Sequence, residues 1–278
     1  GKDRTSYREL NRFIELTRIP IISPNAQYNH GLLNRPEKIS SIETSVVESA
    51  DLILCLDIDV PWIPSKHNPS QNCQVVHISP QPLFNSIPIR SFRSDLNIYS
   101  NVGFALERLN VLIKDQNQKI NKLWSIQNKT NTEFKIDQTK ISKFAVEKVL
   151  AELWTDNLIL INELGLPTDN IPMDHFGCYY RTGSASGLGW ACGAALGLGI
   201  MRTDKTVINV VGDGAYYFGN PLAYHAVANQ YNISIITIVL NNSGMFSIAQ
   251  NVKDQFSDVN MSKYQGLPFL SFKDNIKY

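Results

Sequence analysis

Two short polar motifs, Gly212-Asp213-Gly214 and Asn241-Asn242, follow two apolar runs and are separated by 26 residues, 215 to 240. The run before the first is Thr206-Val-Ile-Asn-Val-Val211, and the run before the second is Ile233-Ser-Ile-Ile-Thr-Ile-Val-Leu240. Both read as buried parallel strands, being short, rich in β-branched residues and bounded by turn residues. The segment Tyr217 to Asn229 has room for a crossover helix, and Tyr216, Tyr217 and Phe218 are expected to start a helix against the sheet. An acid and an amide then stand at the carboxyl ends of neighbouring strands, where open α/β sheets bind ligands. A carboxylate, an amide oxygen and a turn carbonyl make a hard oxygen half-shell. Mg2+ takes such a shell and completes its octahedron with phosphate oxygens and water. The glycines beside Asp213 let the backbone come close to a diphosphate. Either motif alone is an ordinary turn or loop; the pair behind two strands predicts a metal–diphosphate site.

The elements that must carry this site can be traced along the chain. From Lys114 to Lys143 the sequence is rich in Lys, Asn, Gln, Thr and Ile, with little apolar periodicity. We read residues 117–140 as a polar linker between a first domain, 1–116, and a second, 141–278. In the first domain Tyr7 to Leu16 has helical spacing, and Ile19-Pro-Ile-Ile22 reads as a strand. Ser45 to Ala50 reads as a short helix, Asp51 to Leu56 and Cys73 to Ile78 as strands, and Val102 to Ile113 as a closing helix. In the second, Leu158-Ile-Leu-Ile161 is a further strand. Alternating strands and helices predict an α/β class: two doubly wound parallel-sheet domains, the first Rossmann-like.

Composition narrows the functional classes. Of 278 residues, 43% are hydrophobic, enough for two cores, and the net charge of +1 argues against nucleic acid as a partner. The sequence has no apolar run of eighteen residues, so no membrane span is expected. Gly1-Lys-Asp-Arg-Thr5 does not read as a signal peptide, which suggests a cytoplasmic protein, with a mitochondrial location left open. Cys55, Cys73, Cys178 and Cys192 are scattered without CxxC spacing, which predicts buried free thiols and neither disulfides nor zinc. Three Asn-x-Ser/Thr matches are read as chance.

Gly-Asp-Gly, 26 residues, then Asn-Asn resembles the motif of the thiamine diphosphate (ThDP) enzymes. The resemblance implies Mg2+ bound by Asp213, Asn242 and the carbonyl of Gly244, with the backbone N–H of Ala215 on the diphosphate beside Gly212 and Gly214. A second segment, Gly183-Ser-Ala-Ser-Gly-Leu-Gly-Trp190 running into Ala191-Cys-Gly-Ala-Ala-Leu-Gly197, resembles the glycine-rich turn and helix start of the acetolactate synthase and benzoylformate decarboxylase branch. There a bulky apolar residue holds the cofactor bent. Leu188, 25 residues before Asp213, falls on the leucine of benzoylformate decarboxylase, and Ser186 would offer the carbonyl that accepts from the aminopyrimidine. The first domain is similar to the central domain of the same group. Some relatives bind FAD there, but the absence of GxGxxG argues against FAD in this chain and favours a scaffold.

The resemblance implies a ThDP- and Mg2+-dependent 2-oxo acid decarboxylase or carboligase, acetolactate synthase-like. The alternatives are a benzoylformate decarboxylase-like lyase, or a non-catalytic ThDP-fold subunit. Ser247-Ile248 stands where pyruvate decarboxylases carry Ile-Glu, which disfavours that activity. A nicotinamide-binding module is disfavoured by the missing glycine fingerprint. In the family an activating glutamate comes from a separate pyrimidine-binding domain, so it is expected outside this chain, from a second copy in a homodimer or tetramer. The chain is accordingly expected to be a piece of a longer protein. Glu163, at the end of its strand on the diphosphate side, is not read as that glutamate. Asp57 and Asp59 read as loop and cap residues, His77 and His225 as packing or surface residues, and His175 as a loop residue.

Overall fold

The computed structural model describes residues 3–22, 37–39, 44–83, 92–115, 141–163, 165–183, 187–242, 244, 245, 252, 253, 255 and 256. The expected linker, 117–140, lies outside them, as do Ser186, Ser247 and Ile248. Contacts divide the chain into two compact units, Gly1–Phe134 with Pro172–Gly177, and Lys135–Ile171 with Cys178–Tyr278. His175 belongs to the first of these.

The first unit opens with helix α1 (Arg4–Thr17), whose start is fixed by Asp3: its carboxylate accepts from the Ser6 N–H at 2.8 Å. That cap extends the helix beyond the expected Tyr7–Leu16. Arg18, in a left-handed conformation, ends it by donating its N–H to the Ile14 carbonyl. β1 (Ile21–Ile22) pairs in parallel with β2 (Lys38–Ile39), and α2 covers Thr44–Ser49. β3 (Leu52–Leu56), β4 (Gln74–Ser79) and β5 (Leu96–Tyr99) form a parallel sheet in that order, closed by α3 (Val102–Asp115). Leu10, Phe13 and Ile14 of α1 bury against Val102 and Leu106 of α3. The helices meet closely at Gly103, where a Cβ would stand 2.8 Å from the Ser6 nitrogen. Asp57, Ser79 and Gln81 are tied at the carboxyl edge of this sheet, Ser79 Oγ donating to Asp57 and accepting from the Gln81 N–H. Asp57 and Ser79 thus act as loop-forming groups.

The second unit is a four-stranded parallel sheet in the order β7 (Tyr179–Arg181), β6 (Leu158–Glu163), β8 (Thr206–Gly212), β9 (Ile235–Leu240). Its helices are α4 (Lys143–Leu153), α5 (Trp190–Met201), α6 (Asp213–Phe218) and α7 (Pro221–Gln230). β6 and β8 are buried along most of their length, as runs without polar alternation require in a sheet covered on both faces. Ile161, Val207 and Val211 pack with Ala191, Cys192, Ala195, Ala215, Tyr216 and Tyr224 into one core. Each large aliphatic side chain buried there contributes about 1.5–3 kcal/mol. Register matters more for the site. Glu163 stands opposite Val211, and Gly212 opposite Leu240. Three strands therefore end within one residue of a common level. The strand expected from Ile233 begins at Ile235, and the helix expected from Tyr216 begins already at Asp213, with Gly212 as its N-cap. The crossover continues through Asn220, whose side chain accepts from the Ala223 N–H, into α7 with Pro221 in its first turn.

Candidate functional site

Strand β8 delivers Asp213 and strand β9 delivers Asn242 to the same edge of the sheet. Asp213 is buried to 4% exposure, while Asn242 is exposed. Their oxygens converge on one donor: Asp213 Oδ2 accepts from the Gly244 N–H at 3.0 Å, and Asn242 Oδ1 accepts from it at 3.1 Å. Two oxygens from two strands thus point to a common focus, and what Gly244 presents there is its N–H. A cation held by both oxygens would take the place of this N–H. The two side-chain donors, one carboxylate and one amide oxygen, are hard and oxygen-only, and they fit Mg2+.

Gly212, Gly214 and Ala215 form the turn from β8 into α6 beside Asp213. Gly214 lies under Met245, whose Cε would stand 3.4 Å from an added Cβ. Leu188 lies in the turn before α5 with 37% exposure, and Gly187 is exposed beside it. Gly189 follows with φ of 89° and caps α5. An added Cβ there would meet the Gly219 nitrogen at 2.6 Å, so the Leu188 turn abuts the end of α6 directly, with no side chain between.

Behind the site lies a buried polar chain. Asn209 Nδ2 donates to Tyr224 Oη at 3.2 Å, and Tyr224 Oη is 2.9 Å from Thr237 Oγ1. Burial raises the Tyr224 phenol above its usual range, so this oxygen stays protonated. Tyr216 Oη is 2.7 Å from His225 Nε2, and burial pushes His225 below its ordinary value. His77 is buried in β4 in the first unit. All four cysteines are buried thiols. Burial, with the Glu163 charge adding to it, pushes the Cys192 thiol up to about 11.

One residue of this region was not assigned a role by the sequence. Glu163, 1% exposed at the end of β6, accepts from the Gly189 N–H through Oε1 and from the Ala191 N–H through Oε2, both at 2.8 Å. Its partners lie 26 and 28 positions away, and the only sequence signal was an acid closing an apolar strand before a glycine-rich helix start.

Residues 168–275 match the family described as thiamine pyrophosphate enzyme, C-terminal TPP binding domain. Among solved structures, the chain is similar to the thiamine diphosphate-dependent 4-hydroxybenzoylformate decarboxylase of Rhodococcus jostii RHA1, with a TM-score of 0.68 and 19% identity. That match covers 92% of this chain and 50% of the other, so the chain spans about half the length of the structure it resembles. At this identity the likeness shows the fold, a parallel α/β arrangement in agreement with the doubly wound class expected from the sequence. Residues 168–275 are thus similar to the cofactor-binding domain of thiamine pyrophosphate enzymes, and the structural likeness adds the fold.

Proposed function

We propose that this chain is the central and cofactor-binding part of a ThDP- and Mg2+-dependent enzyme that decarboxylates a 2-oxo acid. The observation that carries the reading is the convergence of Asp213 Oδ2 and Asn242 Oδ1 on the Gly244 N–H at the carboxyl ends of adjacent strands. Asp213 and Asn242 would hold the cation with the Gly244 carbonyl, and the cation would neutralise the diphosphate. The Gly212–Ala215 turn offers backbone N–H groups to the same diphosphate. Leu188 would support the cofactor's bent organic part, and Ser186 would accept from its aminopyrimidine. When bound, ThDP supplies the electron sink that 2-oxo acid decarboxylation needs. The protein's part is to bind it, bend it and surround it with fixed dipoles.

The acetolactate synthase-like carboligase and the benzoylformate decarboxylase-like lyase differ only after CO2 has left, in transfer to a second carbonyl or protonation. The similar R. jostii structure is named as a 4-hydroxybenzoylformate decarboxylase, and Leu188 matches the leucine of that branch. Both favour the lyase as the second reading. A second copy of the full-length protein, in a homodimer or tetramer, would supply the activating glutamate from a pyrimidine-binding domain outside the 278 residues.

Calorimetry on the full-length protein tests the reading. ThDP should bind with Mg2+ present and lose its affinity in excess EDTA, because two phosphates cannot be held at this edge without a cation. Asp213→Ala should abolish binding, since it removes the charged ligand. Equal affinity with and without chelator would sink the proposal.

A further inference from the structure

The turn that presents Leu188 is held by a device separate from the metal residues. Glu163 is almost fully buried, and each of its carboxylate oxygens accepts one backbone N–H at 2.8 Å, from Gly189 and from Ala191. These are the N-cap and second residues of α5, a helix of 12 residues. A carboxylate facing unsatisfied N–H groups at a helix start is favoured both by charge-assisted hydrogen bonding and by the helix dipole. The fork fixes the end of β6 to the residue immediately after Leu188. Gly189 is clamped on its other side by the backbone of Phe218 and Gly219, which an added Cβ would meet at 2.6 to 2.8 Å. The Leu188 turn thus lies between a carboxylate on β6 and the last turn of α6.

We propose that Glu163 is a positioning residue: through its two-oxygen grip on Gly189 and Ala191 it sets the height of Leu188 under the organic part of the cofactor. It does so without taking part in the metal–diphosphate clamp. The proposal rests on the ThDP reading above. It assigns to this buried acid a function distinct from general fold support, because one of the N–H groups it holds belongs to the residue directly after Leu188, which would support the cofactor's rings. Neither Asp213 nor Asn242 is bonded to it; their hydrogen bonds run to Gly244.

The division predicts a split between two probes, ThDP and inorganic pyrophosphate, each titrated with Mg2+ into the full-length protein. Glu163→Gln places an amide nitrogen against one of the two N–H groups. It should weaken ThDP about tenfold, the loss expected of one hydrogen bond to a charged group, while pyrophosphate changes by less than about twofold. Leu188→Ala should give the same selective loss, and Glu163→Gln added to Leu188→Ala should cost little more, because both changes remove one contact. Glu163→Asp keeps the charge but is too short to reach both N–H groups. It should show the same selectivity and serves as the test if the glutamine variant does not fold. Equal weakening of both probes, no weakening of either, or additive losses in the double variant would each overturn the positioning role. Wild-type protein that binds pyrophosphate but not ThDP would instead overturn the cofactor reading, and this inference with it.

Discussion

At the scale of single residues, burial decides which polar groups can react. Cys192 lies in the core beside Asn209, and loss of hydration drives its thiol from the ordinary 9.0 to about 11, the Asn209 amide opposing and the Glu163 charge assisting. The neutral thiol is therefore the form that the folded state favours. Its contribution to stability is complete below pH 9 and is lost as the pH rises toward 11. At pH 8 an aromatic disulfide reagent should leave the buried thiols unmodified in the native chain and titrate all four in denaturant. Rapid modification of a thiol in folded protein would contradict the packing described around Cys192. Asp213 and Glu163 make a second contrast. Both are buried carboxylates at the same edge of one sheet, yet Asp213 shares its donor with Asn242 while Glu163 has two donors of its own. That leaves Asp213 as the acid that can exchange a hydrogen bond for a cation.

At the scale of elements, two glycines of the Leu188 segment should respond to alanine in opposite directions. Gly189 has a positive φ and no room for a Cβ, so Gly189→Ala combines backbone strain with a clash against Phe218 and Gly219. It should destabilise the second unit by about 1–3 kcal/mol or more. Gly193 is an exposed residue inside α5, and nothing lies within 4 Å of an added Cβ. Gly193→Ala should stabilise by about 0.5–1 kcal/mol through helix propensity. Urea midpoints of the two variants, followed by circular dichroism, decide the matter, and a destabilised Gly193→Ala would be the wrong sign. The strands that position the metal residues were legible because each is a β-branched run stopped by a polar turn. β5 and β7 were not, since four and three residues carry too little pattern to separate strand from loop. The Glu163 fork escaped for a different reason: it joins a strand end to a helix start across a long stretch of chain, and no local signal records such a contact. Conversely, Asp213 was placed correctly as a strand-end residue although the helix beginning at it was expected three residues later.

At the scale of the whole molecule, the second unit leaves large apolar side chains in water. Ile200, Met201, Tyr217, Phe218, Leu222 and Tyr231 are each more than half exposed. Exposed apolar groups that adjoin one another make a surface that a partner can cover. In the proposed assembly a second copy of the full-length protein covers them and brings the activating glutamate, which the 278 residues are not expected to contain. Expressed by itself, the 278-residue chain should therefore associate, and it should release no CO2 from pyruvate or benzoylformate. Static light scattering beside a CO2-release assay checks both statements. A stable monomer with decarboxylase activity would refute the division of the site between two copies. Among the described residues no helix is long and apolar enough to cross a membrane, so these side chains do not belong to a helical span.

The shared register of β6, β8 and β9 also governs where this chain can change length. Gly212 and Leu240 finish at one level and Glu163 one residue short of it, so the polar groups at these ends are set out by counting residues along three strands. Deleting one residue from β9 would draw Asn242 back by about 3.3 Å and turn alternate side chains to the opposite face of the sheet. Asn242 and Asp213 would then no longer meet. Residues added to the short connection from α7 to β9, between Tyr231 and Ser234, leave both strand ends and the buried face of α7 where they are, at a loop-closure cost that grows only slowly with length. A change of length is thus expected to be tolerated in the connection between α7 and β9 and to be damaging in the strands.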